Sequence, residues 1–66
     1  MNSITARQVR RIKEYLKDMK EHTTSDIVVN CGINHYRILG LMGYLESKNQ
    51  VVRRTTLHST RWKLAR

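Results

Sequence analysis

At 66 residues the chain has room for one domain, and a chain of that size buries only about 60% of the surface its unfolded form exposes. A single cysteine, Cys31, excludes a disulfide framework and suits a reducing compartment, and no apolar run reaches signal-peptide or membrane-spanning length, so a cytoplasmic location without membrane contact is expected. The net charge of +8 is unevenly placed: residues 1–22 carry six Lys/Arg against three acids, residues 23–50 two against two, and residues 51–66 five against none.

The first predicted helix spans 5–21. Thr5 and Gln8 fit a capping box, and Ile4 with Val9 has the spacing of a hydrophobic staple. Val9, Ile12, Leu16 and Met19 recur at three- and four-residue intervals, which makes a buried stripe with Met19 as core filler. Tyr15 lies at the edge of that stripe.

The second predicted helix spans 24–31. Thr23 or Thr24 can cap it, and Asp26 falls in its first turn, where the helix dipole favours an anion. Ile27, Val28 and Val29 are β-branched and on propensity alone would suit a strand. The caps on one side and Gly32 on the other favour two turns of helix.

Gly32 enters the left-handed region without a Cβ penalty, and Asn34 is a good N-cap for a third helix over 35–48. Two helices joined this tightly have the pattern of a helix-turn-helix. Ile38, Leu41, Met42 and Leu45 form the buried stripe of the third helix. Tyr36, Gly40, Gly43 and Ser47 lead the opposite face, with Arg37 and Tyr44 along one edge. Each internal glycine costs about 1 kcal/mol relative to alanine. Two compensations fit: close approach to a nucleic-acid backbone or groove floor, or close packing against another helix.

After Asn49, an acceptable left-handed terminator, two β-rich runs at 51–56 and 60–64 form a hairpin. The connection through Leu57, His58 and Ser59 lacks the residues of a tight primed turn, so a loop of three to five residues is expected. Trp62 and Leu64 share one face while Arg61 and Lys63 share the other, which makes Trp62 the anchor of a basic hairpin.

Helix, helix, turn, helix and hairpin in this order resemble the winged helix-turn-helix family, an α+β fold of three helices followed by a two-stranded wing. The resemblance covers nearly the whole chain and is most specific in G-I-N-H-Y-R-I-x-x-x-M-x-x-L-E-x-x-N-x-V, from Gly32 to Val51. That register is similar to small bacterial and archaeal repressors of the arsenic-responsive and antibiotic-resistance types. Asn49 stands where those families usually have glycine, and Leu57 where the wing tip usually has one. The resemblance implies a double-stranded DNA-binding regulator of transcription, with the third helix in the major groove and the wing and basic flanks on phosphates. It implies DNA contacts from Asn34, His35, Tyr36, Arg37 and Gly40, with Arg37 pairing to guanine and Asn34 to adenine if it is not used as a cap. Thr23, Thr24 and Ser25 would meet a phosphate, and Arg53, Arg54, His58 and Arg61 would act from the wing.

No catalytic constellation is interpretable, so an enzyme is not expected, and no cofactor is implied. Cys31 and His35 lie four apart, but no second ligand pair accompanies them, and no metal site is expected. A monomer or a weak homodimer through the first helix fits the length, and a cytoplasmic, nucleoid-associated location fits the charge. The rival readings are a winged-helix protein-interaction module and a weakly specific architectural binder of DNA or RNA.

Overall fold

The computed structural model describes residues 2–65. Arg66, counted among the cations of the tail, lies outside the described residues. Three helices come first and a small antiparallel sheet packs on them: α1 (Ser3–Tyr15), β1 (His22–Thr23), α2 (Thr24–Cys31), α3 (His35–Ser47), β2 (Val51–Thr55) and β3 (Thr60–Leu64).

The start of α1 corrects the expected capping box. Asn2 is the N-cap, its Oδ1 accepting from the Thr5 amide at 2.8 Å. Asparagine is at least as good a cap as threonine, and moving the cap from Thr5 to Asn2 adds three residues, most of a turn of helix. Ile4 then sits in the first turn at 64% exposure and closes no staple. Val9, Ile12 and Leu16 are buried as their spacing requires.

The end of α1 is also earlier than expected. Regular helix stops at Tyr15, a 3-10 turn covers Leu16–Asp18, and Met19 adopts φ 63° in the left-handed region. Asp18 drives this turn. Its carboxylate accepts from the Lys20 amide at 2.9 Å and holds His22 Nε2 at 2.8 Å. Met19 is 39% exposed in consequence and fills no core. The chain after this turn leads into β1, too short to be visible as a strand in the sequence. It pairs with β3, giving the strand order β1-β3-β2.

The run Ile27-Val28-Val29 is helical. Thr23 Oγ1 accepts from the Asp26 amide at 3.1 Å, and Gly32 (φ 65°) closes the far end with its N–H on Val28 O. Burial follows helical spacing, with Ile27 and Cys31 buried and Val29 78% exposed. Burial also pushes the Cys31 thiol above its usual range.

Asn34 caps α3, and Asn49 (φ 59°) turns the chain into β2. Ile38, Leu41, Met42 and Leu45 face the core from α3, and Val51 joins them. Trp62 is 3% exposed, and its indole N–H donates to Thr24 Oγ1 at 2.9 Å. That bond ties the wing to the start of α2. The Thr56 amide donates to Ser59 O at 2.8 Å, closing a four-residue loop between the strands of the hairpin. The result is the α+β winged-helix arrangement. Among the described residues, no helix is long and apolar enough to cross a membrane.

Candidate nucleic-acid interface

Helix α3 leaves one face open. Tyr36 is 82% exposed, and a Cβ built on Gly40 or Gly43 would meet nothing within 4 Å. Packing within the chain therefore does not explain the two glycines. They leave a smooth, uncharged strip along the helix, next to Tyr36.

On the wing side of that strip, three separated segments converge. Thr23, Thr24 and Ser25 from the start of α2, His35 and Leu39 from α3, and His58, Ser59 and Thr60 from the wing line a cleft of about 300 Å³. The convergence follows from the Trp62–Thr24 bond, which holds the hairpin over α2, and from the loop at 56–59, which places His58 toward α3. No carboxylate lines the cleft. Hydroxyls, two imidazoles and an open helix start make it suited to an anionic oxygen. Leu39, Ser59 and Thr60 belong to this site although the sequence did not mark them. For Leu39 the four-residue spacing from His35 was the available signal.

Several expected contacts are placed elsewhere. Thr24 is buried, and its hydroxyl serves Trp62, so it does not reach a phosphate. Thr23 keeps its hydroxyl on the Asp26 amide, while Ser25 is exposed. Asn34 Oδ1 accepts from the Tyr36 amide at 2.9 Å and the Arg37 amide at 3.4 Å, which takes the carbonyl that a bidentate contact with adenine would need. Arg37 runs back along α1, with Nε on Gln8 Oε1 at 2.9 Å and Nη2 on Thr5 Oγ1. It turns away from the strip because its position faces α1, and it leaves no guanidinium there to read guanine. Gly40 also borders a second cleft, of about 400 Å³, on that α1 side with Thr5, Leu41 and Tyr44.

The wing cations divide between the two faces of the sheet. Arg53 lies opposite Trp62 and so shares the inner face. Its Nε is 3.2 Å from Glu46 on α3, and its guanidinium carbon is 5.9 Å from the centre of the Trp62 ring. Arg54 lies opposite Arg61 on the outer face, where Lys63 follows. Arg54 holds Glu21 through two bonds of 2.8 and 2.6 Å, and this pairing lowers the Glu21 carboxyl below its usual range. The expected wing set is therefore two groups: Arg53 and His58 toward α3, Arg54 and Arg61 away from it.

No family model matches the chain, and no curated protein matches it. Solved structures do. The Zalpha domain of PKZ from Carassius auratus, solved in complex with Z-DNA, superposes with a TM-score of 0.84 at 19% identity over 94% of this chain and 98% of that one. The apo Zalpha domain of zebrafish PKZ gives 0.88 at 20% identity over 97% and 100%. A PKZ Zalpha domain in complex with ds(CG)6 gives 0.79 at 21% identity over 86% and 92%. These three are Zalpha domains and not the repressors that the register of 32–51 resembles. At this level of identity they establish the fold, which is that of a winged helix.

Proposed function

We propose that the chain binds double-stranded DNA through the open strip of α3, the start of α2 and the inner side of the wing. The cleft shared by Ser25, His35, His58 and Thr60 carries this reading, since it brings polar groups from three elements beside an unobstructed helix. Two of the similar structures were solved on duplex DNA, one described as Z-DNA and one as ds(CG)6. A left-handed duplex is therefore the first ligand to test. Titrating the protein against (CG)6 and a mixed-sequence duplex, with handedness followed by circular dichroism, separates the cases. Binding only to a duplex driven left-handed identifies a conformational reader. Equal binding to both identifies a shape-tolerant one, and no binding to either rejects the proposal.

Regulation of transcription in a cytoplasmic, nucleoid-associated setting is the finer form of the proposal. It rests on the repressor-like register of 32–51 and on the charge of the chain. Selection from a random library checks it, because a regulator returns a consensus and an architectural binder does not. The strip at Tyr36, Gly40 and Gly43 carries no charge, which favours a protein-interaction module as the second reading. That reading gains if duplex binding is absent.

A further inference from the structure

The acids near α1 are all engaged by other groups. Glu14 pairs with Lys17, Asp18 with His22, and Glu21 with Arg54. Arg7, Arg10 and Arg11 are left without a carboxylate partner among the described residues. Arg10 and Arg11 lie three and four residues after Arg7 and fan to either side of it, on the part of α1 away from Val9, Ile12 and Leu16. With Lys17, in the 3-10 turn after α1, the basic cluster covers residues 7–17. It walls a groove of about 550 Å³ between α1 and α2, floored by Tyr15, Asn30 and Cys31. Glu14 is the one acid on its lining, and Lys17 neutralises it. None of these residues lines the cleft between α2, α3 and the wing.

We propose that this arginine row is a second duplex-binding surface, so that one chain bridges two nucleic-acid segments. The inference rests on the first duplex being held at α3. A dense cluster of forked guanidiniums suits a rod that carries one charge per about 1.7 Å of its axis. The duplex on α3 does not itself supply that rod. Its persistence length is about 150 base pairs, so it does not fold back around a body of 35 × 24 × 20 Å. A second copy of the chain is a poor occupant, because two such rows repel each other.

The test uses duplexes labelled separately with a donor and an acceptor. Energy transfer reports bridging, and anisotropy of one duplex at trace concentration reports binding at α3. The wild-type chain gives transfer that rises and then falls as protein exceeds duplex. The triple variant Arg7→Gln, Arg10→Gln, Arg11→Gln keeps helix propensity and the melting temperature, and it keeps single-duplex affinity within about twofold while transfer drops about tenfold or more. Single-duplex binding without transfer in the wild type overturns the inference alone. So does unchanged transfer in the triple variant, or loss of both signals together, which would make α1 part of the first interface. Loss of transfer to poly-glutamate, at charge concentrations where competitor duplex has no effect, assigns the groove to an acidic protein segment instead. Absence of any duplex binding by the wild type removes the proposed function itself.

Discussion

Thr24 shows how a single residue can be mistaken for a ligand contact. A threonine beside a helix start suits a phosphate, yet here its hydroxyl accepts the indole N–H of Trp62 inside the core. Thr24→Val keeps the shape and leaves a buried donor without an acceptor, which costs about 1–3 kcal/mol. Urea denaturation measures this. Trp62→Phe made on top of Thr24→Val should cost less than Trp62→Phe alone, because the two groups share one bond. Gly40 and Gly43 carry the opposite prediction. Both are helical and open, so alanine at each should stabilise the fold by about 0.5–1 kcal/mol. If α3 lies against a duplex, the same methyl groups weaken binding. A variant that gains stability and binds unchanged would move the interface off this face.

At the scale of elements, α1 differs most from expectation, at both ends and for local reasons. Asn2 rather than Thr5 caps it, so Asn2→Ala should cost about 0.5–2 kcal/mol by thermal or chemical denaturation. Thr5→Ala should leave the helix start in place and remove only one of the two contacts of the Arg37 guanidinium, the bond to Gln8 remaining. At the other end, two carboxylates hold the turn and β1 against the sheet. Asp18 is pulled below its usual 3.8 chiefly by the Lys20 amide, and Glu21 below its usual 4.5 chiefly by Arg54. Folding therefore favours their charged forms, and the folded chain binds fewer protons than the unfolded one in the acid range. Stability from both groups is fully present above those ordinary values and is lost as pH falls through the lower folded ones. Melting temperatures measured from pH 6 down to about pH 3 should drop less steeply in Glu21→Gln than in the wild type. An unchanged slope would mean that the pair with Arg54 does not persist in solution.

Over the whole molecule, charge and shape are set apart. The exposed face of α3 is neutral, while cations lie behind it on α1 and on the outer face of the sheet. Duplex affinity should therefore depend on salt less steeply than the net charge of +8 suggests. With Arg53 as the wing arginine directed toward α3, about one to two phosphates are neutralised there and the log–log slope should be about −1 to −2. A slope near −8 under single-duplex conditions would show that one duplex gathers all the cations. The same separation opposes an α1-to-α1 homodimer, and sedimentation of the free chain at low salt should find a monomer.

Periodicity and local caps alone determined most of the fold. The stripe spacings of Val9–Leu16 and Ile38–Leu45, the Gly32–Asn34 turn, the left-handed Asn49 and the alternation that pairs Trp62 with Leu64 on one face are local patterns, and the sequence carries those directly. Tertiary structure decided what each polar side chain was free to do. Thr24 was taken by Trp62, Arg37 by Thr5 and Gln8, and Arg54 by Glu21, across separations of 38, 29 to 32, and 33 residues. β1 became a strand only because β3 was there to pair with it. A side chain's availability to a ligand is what remains after the fold has used its hydrogen bonds, and that remainder depends on neighbours distant in the chain.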